Sequence, residues 1–436
     1  MPTWIIEPRD PLIVRDGRPF GPTPGARAVS LAFPFPSTTT GGVRTRAGLD
    51  AQGQFDPAKI PTVQAMGVRG PLLVELADTG PPDTDGRIVR WLAPAPADAL
   101  LLQPPEGAGQ KDPVRKRLCP LGNDPPVQTA APQRPAAAGT VGTALSLVGP
   151  QEYDPSKPLT DAPRYWYWAQ LEAWLHDPPH AATVQLAELG HDGPQLEQRL
   201  HVGIQSDTGT ALEGALFQTR GLEFTRDVRR PAASTEILEL PKWDRHRLAL
   251  AVASAGGFEH FAGGLAPLGG ERRLMQWRTV PDGAPDPFAG TCPDAICNKI
   301  VAEHACRLVL LTPAYFEQGF CPTWLLQSPV VQALRAAAVG RPQVVSGWDF
   351  VANNGKGGAK PTRRLAPAGS VFFLKLGEDQ DTIRAWIDTI WMHCVSDAAQ
   401  DRLDGFGLAV LGSWSGKAEK MQVSRQMEGD NEPTYS

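Results

Sequence analysis

Every strongly apolar run in this chain is short and soon followed by proline, glycine or aspartate. TWIIEP, PLLVEL, RLALAVAS, RLMQWRTV, CRLVLL, SVFFLKL and GLAVLGSW are six to eight residues long. That length suits buried strands and is too short for most helices. Glycine and proline, 44 of each in 436 residues, explain the interruptions. Their usual shares are ~7% and ~5%, so the chain is built from strands joined by long, turn-rich connections. GPLLVELADTGPPDTDGRIVRWLAPAP reads as a hairpin. LHVGIQSDTGTALEGALFQTRGLEFTRDV reads as a strand, a short turn of helix and a second strand.

Two stretches carry helical spacing. In PRYWYWAQLEAWLHDPP, Trp166, Leu171, Trp174 and Leu175 recur on one face; in TIRAWIDTIWMHCV, Ile383, Trp386, Ile387, Ile390 and Trp391 do. A third helix is expected over STTTGGVRTRAGLDA, with Ser37 or Thr38 as its cap. Short strands with moderate helices between them fit two α+β sandwiches, each an antiparallel sheet with helices on one face. A boundary is expected between residues 150 and 200. Residues 103–140 read as a long, irregular and mobile insertion with a basic centre, KDPVRKRLCP.

Hydrophobic residues at 42% and charged residues at 20% describe a soluble globular protein. The net charge of −5 argues against nonspecific coating of nucleic acid but leaves room for a local basic face. MPTWIIEPRD has no basic start followed by an apolar core, so no signal peptide is expected. No run approaches the ~18 apolar residues of a membrane span, and a cytoplasmic location is expected. Cys292, Cys297, Cys306 and Cys321 are separated by four, eight and fourteen residues, without a CxxC pair. With Cys119 and Cys394 they read as ordinary thiols rather than zinc ligands.

No GxxxxGK[ST], HExxH or GxSxG motif is present. His176, His180 and His191 fall in a polar loop, and Glu259–His260 sits in the glycine-flanked GGFEHFAGG. His201, at a strand entry, is the most noteworthy histidine, yet no second acid–base group is apparent beside it. Three features point to a polyanion. Arg15 and Arg18 share the tight turn of PLIVRDGRPFG, after the apolar Leu12-Ile13-Val14. In PSTTTGGVRTRAG, hydroxyls and Gly41-Gly42 open a helix N-terminus that suits a phosphate. There Arg44 and Arg46 lie about 200° apart on a helix, so one of them faces the ligand. The third feature is GKGGAKPTRRLAPAGS, with Lys356, Lys360, Arg363 and Arg364 in a glycine-rich loop. Each is also compatible with a solvated surface, and in the first Asp16 can pair with an arginine of its own turn.

EPRDPLIVRDGRPFG and FPFPSTTTGGVRTRAG resemble the N-terminal signature of the family of subunit three of the Cmr complex, the type III-B CRISPR effector. HVGIQSDTGTALEGALF, LAPLGGERR, SGWDF, KPTRRLAPAGSVFF and GFGLAVLGSW are similar to later blocks of that family, in the same order. The resemblance spans residue 5 to about 414. It implies a RAMP-superfamily α+β fold of two ferredoxin-like (RRM-like) domains with long loop insertions. The expected division is 1–165, 166–415 with a glycine-rich loop at Gly405-Phe406-Gly407 to Gly412, and a polar tail over 416–436.

The resemblance further implies a non-catalytic, RNA-binding subunit of a ribonucleoprotein for RNA-guided antiviral defence. It would grip the 5′ repeat-derived tag of the crRNA and dock the large polymerase-type subunit onto backbone RAMP subunits. No cofactor, metal or membrane partner is implied. The RNA-binding candidates are Arg15, Arg18, Ser37, Gly41, Gly42, Arg44, Arg46, His201, Arg272, Arg273, Arg363, Arg364, Gly405 and Gly407. Two other readings stay open: a metal-independent endoribonuclease of the same superfamily, with His201 as general acid or base, and a pure protein–protein scaffold. The 103–140 insertion has no assigned role.

Overall fold

A computed structural model describes residues 1–14, 27–28, 30–77, 87–104, 112–122, 145–229, 243–256, 258–281, 283–349 and 357–421. Arg15, Arg18 and Lys356 lie outside the described residues. The first sheet is built on β1 (Thr3–Pro8), β2 (Val68–Leu76), β3 (Trp243–Ser254) and β4 (Leu274–Thr279), in the order β2-β3-β1-β4. Each neighbouring pair is antiparallel, with Ile5 opposite Ala251 on one side and Arg278 on the other. Helix α1 (Pro36–Ala47) joins β1 to β2. Strands Ile88–Pro94, Tyr165–Tyr167 and Gly190–His191 extend the sheet beyond β2, and α2 (Trp168–His176) follows the second of these.

After α3 (Asp294–Glu303) the chain makes a second sheet from β5 (Ala305–Leu310), β6 (Val331–Ala338), β7 (Val371–Leu376) and β8 (Leu408–Ser413). Its order is β6-β7-β5-β8, again antiparallel at each step. Both sheets therefore place their four strands in the spatial order second, third, first, fourth. Helix α4 (Gln380–Ile390) lies between β7 and β8, followed by the short α5 (Ala399–Leu403). Asp379 starts α4 by accepting the Asp381 amide at 3.1 Å and the Thr382 hydroxyl at 2.7 Å. The fold is α+β, as expected.

The expected division at residue 165 falls on strand Tyr165–Tyr167, which is hydrogen-bonded within the first sheet. The chain changes sheets between Thr279 and Ala305 instead, because β3 and β4 return to pair with β1. Three local expectations are also corrected. The centre of the insertion is not irregular: Val114–Pro120 is a strand paired with Ala99–Leu102. The segment after His201 is a plain hairpin, Gln195–Ile204 with Ala211–Glu223, joined by a turn rather than helix. His191 is no loop residue either; it is buried and accepts the Gly193 amide.

Alternation along the strands sorts the core. Trp4, Ile6, Leu73, Leu250, Val252 and Trp277 face Val43 of α1. Ile5, Leu72, Val74 and Ala251 face the other way and share one core with Ile296 and Ile300 of α3 and Val309 of β5. Full burial of such side chains contributes about 1.5–3 kcal/mol each. Trp166, read from sequence as helical, sits on the strand before α2 and meets Trp174 edge-on at 5.7 Å.

The two sheets also meet through Arg69 of β2 and His393. Arg69 donates to Nε2 of His393 at 2.7 Å, and Nδ1 of the same ring donates to the Trp391 carbonyl at 2.8 Å. Both ring nitrogens are committed to the neutral form. Burial first, then the Arg69 charge, push the His393 pKa below its usual value. The unfolded chain thus takes up this proton at a higher pH than the folded one. The contact's stabilisation is full above the unfolded value of ~6.5 and is lost as pH falls through the depressed folded value. Denaturation midpoints of the native chain should fall from pH 7 to 5 more steeply than those of His393→Gln; parallel profiles would refute the assignment.

Candidate nucleic-acid interface

Helix α1 begins with Pro36 at its first position, where the missing amide is no loss. Neither Ser37 nor Thr38 caps it: the boundary residue is Phe35, whose carbonyl accepts the Thr38 amide at 2.9 Å. Thr39 and Thr40 are buried, and the Thr40 hydroxyl donates to the Asp404 carbonyl at 2.8 Å. Ser37 and Gly41 remain exposed along one edge.

The paired glycines have different duties. A methyl group at Gly42 would lie 2.6 Å from Leu268 Cδ1 and 3.2 Å from the Trp277 ring, so Gly42 lets α1 press onto β4. A methyl at Gly41 meets nothing within 4 Å. Glycine inside a helix costs roughly 0.5–1 kcal/mol relative to alanine, and packing does not explain it at position 41. Gly41→Ala should therefore raise stability by about that amount, while Gly42→Ala lowers it by about 1–3 kcal/mol through overpacking. Urea unfolding of the two variants checks the contrast; equal responses would contradict it.

The arginines of α1 divide as the helical angle requires. Arg46 is buried, donates to the Pro267 carbonyl, and lies 5.5 Å from the Trp277 ring centroid. Burial lowers its pKa. It packs on the side of α1 that meets β4. Arg44 turns to the opposite side, where Nη1 meets Oδ1 of Asp404 at 2.6 Å and Nη2 donates to the Met66 carbonyl at 3.0 Å.

That side of α1 forms one wall of a cleft of ≈ 690 Å³. Ser37, Gly41 and Arg44 line one side, and Ser346, Lys360 and Arg363 line the other. The second wall comes from strands Gln343–Val345 and Arg363–Leu365, with Val345 opposite Arg363. Two of the three basic, glycine-rich features in the sequence are thus brought together, although they are far apart in the chain. Arg363 pairs with Asp401 and lies 5.0 Å from the Tyr315 ring and 5.5 Å from that of Phe406. Lys360 is exposed, and its ammonium has no acidic partner among the described residues. A second cleft of ≈ 760 Å³ adjoins the first at Ser346; Phe33, Leu92, Tyr165 and Val344 give it apolar walls.

The other candidates lie elsewhere. Arg364 points away from Arg363, as alternation on a strand requires, and lines a groove beside Leu147 and Phe320. Arg272 is exposed and Arg273 pairs with Glu271 at 2.8 Å, on a turn whose Gly270 amide donates to the Ile13 carbonyl. His201 is on the hairpin, hydrogen-bonded to the Thr219 hydroxyl at 2.7 Å and stacked on Phe217 at 5.1 Å. Gly405 and Gly407 have φ of +89° and +83° and are buried against backbone. Asp401 and Asp404 were missed by sequence reasoning. Their only signal there is two carboxylates just ahead of the glycine-rich loop.

Among the described residues no helix is long and apolar enough to cross a membrane. No curated protein sequence matches this chain. A chain of the cryo-EM structure of the Type III-B Cmr-beta bound to cognate target RNA and AMPPnP is similar, with 14% identity. The match covers 89% of this chain and 88% of that one, at a TM-score of 0.40. A chain of the Type III-B Cmr-beta bound to cognate target RNA has the same 14% identity over 93% and 96%, at 0.43. The family model of the CRISPR-associated protein Cas_Cmr3 matches residues 4–414, and the chain belongs to that family.

Proposed function

We propose that this chain is a non-catalytic RNA-binding subunit of a type III-B CRISPR effector. On this reading it grips the 5′ repeat-derived tag of the crRNA and docks the large polymerase-type subunit onto the backbone subunits. The observation that carries the reading is the cleft between α1 and the Arg363–Leu365 strand. It joins a bare helix edge at Gly41, hydroxyls at Ser37 and Ser346, and the ammonium of Lys360. A helix surface with no side chain at Gly41 lets a strand pass close beside hydroxyls and a cation, which suits a single-stranded RNA backbone. The adjoining cleft, walled by Phe33, Tyr165 and Leu92, suits an unstacked base. We read the two sheets, each with the strand order second-third-first-fourth, as the two ferredoxin-like domains of the RAMP fold, divided between Thr279 and Ala305 rather than at residue 165. Arg15 and Arg18 stay in the proposal as phosphate ligands; Gly41 and Gly42 are the sixth and seventh residues of α1 rather than its opening, so Gly41 serves as a point of close approach and not as a donor.

The test is binding of the purified chain to labelled crRNA 5′ tag and to a scrambled RNA across a salt series. Tag-selective binding without cleavage, weakened by Lys360→Ala, is expected. Removing one single-strand phosphate contact lowers the slope of log affinity against log salt by about 0.7. Equal affinity for both RNAs, unaffected by Lys360→Ala, would refute the assignment of this cleft. Cleavage abolished by His201→Ala would replace it with a nuclease.

A further inference from the structure

The basic cleft is almost neutral. Arg44, Lys360 and Arg363 supply three positive charges, while Asp404 and Asp401 hold two of them in ion pairs. Three minus two leaves one, and that one is Lys360. The pairing is built rather than casual. Asp404 accepts from Arg44 at 2.6 Å and from the Gln400 amide at 2.8 Å. Asp401 is buried, and its backbone carbonyl accepts the Phe406 amide at 2.9 Å. Asp401 stands in α5 and Asp404 directly after it, at the turn toward β8, so the fold carries both to the cleft on a fixed support.

We propose that Asp401 and Asp404 are specificity-determining residues, which hold the charge of the cleft close to zero so that nonspecific polyanions gain little there. This rests on the RNA-binding reading above. Attraction to phosphate is the part of nucleic-acid affinity that is blind to sequence. A cleft with one uncompensated cation gains little from it. Its affinity must come from what a particular strand offers: close approach at Gly41, hydroxyl contacts, and bases placed in the neighbouring cleft. The carboxylates also fix the guanidiniums. Arg44 keeps Nη2 on the Met66 carbonyl and Arg363 lies against two rings, so neither swings out to capture a passing phosphate.

The experiment measures affinity of the full chain for tag RNA and for scrambled RNA over a salt series. It compares the native chain with Asp404→Asn, Asp401→Asn and Gln64→Lys, with thermal unfolding to confirm folding. The asparagines keep an acceptor oxygen and remove the charge. Gln64 is an exposed cleft residue in neither ion pair, so Gln64→Lys shifts the balance even if an asparagine variant fails to fold. Each variant should tighten scrambled RNA about fivefold at 0.1 M salt, the value given by a slope increase of about 0.7 for one new phosphate contact. Tag affinity should rise less, so selectivity narrows. Should scrambled-RNA affinity and slope stay unchanged in every folded variant while Lys360→Ala still weakens the tag, the charge balance is irrelevant and RNA binding stands. If neither RNA binds the native chain and Lys360→Ala changes nothing, both proposals fail together.

Discussion

Asp98→Ala should lower the unfolding free energy by about 3–5 kcal/mol, the usual consequence of stranding a buried charge. Asp98 and Arg307 are 0% and 1% exposed. The carboxylate takes Nη1 of Arg307 on one oxygen and the Trp174 indole, at 2.9 Å, on the other. Arg307 stands on β5, the central strand of the second sheet, and also donates to the carbonyls of Ser413 and Trp174 at 2.8 and 2.7 Å. Asp98 immediately precedes strand Ala99–Leu102. One ion pair therefore fastens the inserted strands, α2 and the second sheet together. Without Asp98 the guanidinium stays inside with only carbonyl partners. Removing both members with Asp98→Ala and Arg307→Met should recover much of the loss, because no charge is then stranded. Urea unfolding measures both; a single-variant loss below about 1 kcal/mol, the range of surface pairs, would refute the account.

What was legible in the sequence was local. The apolar runs became strands because alternation and flanking glycine or proline are local properties. The helix containing Ile383, Trp386, Ile387 and Ile390 formed as its spacing required, with all four buried. The separate fates of Arg44 and Arg46 follow from helical angle alone. What was not legible depends on distant pairing. β3 lies between β1 and β2, so Ala251 pairs with Ile5 and Leu72 across long stretches of chain. No local pattern specifies such a partner, and the expected boundary fell inside the first sheet as a result. The cleft shows the same division. Its basic residues were visible as charged, glycine-rich segments, but Arg44 and Asp404 are 360 residues apart, and their pairing exists only in the fold.

The glycine-rich loop tests that distinction most sharply, since the family resemblance assigned it to RNA while its geometry is that of a packed joint. Gly405→Ala should cost about 3 kcal/mol of stability, from left-handed backbone at about 1–2 kcal/mol and overpacking at about 1–3 kcal/mol. The φ of Gly405 is +89°, and a methyl group there would sit 2.9 Å from the Gly70 carbonyl oxygen and 3.1 Å from that of Val68. Both obstacles are backbone of β2, a central strand of the first sheet, so neither can turn aside as a side chain would. Pro36 at the start of α1 closes the third side at 3.3 Å. Gly405 is thus where the turn into β8 presses on the first sheet and on the helix that walls the cleft. The Thr312 hydroxyl holds the Gly405 carbonyl at 2.8 Å, and Phe406 beside it is fully buried. The expected signature is a large drop in the urea midpoint, with tag affinity, measured where the variant is still folded, changed only modestly. Native-like stability with tag binding abolished would return Gly405 to the RNA and overturn the packing role.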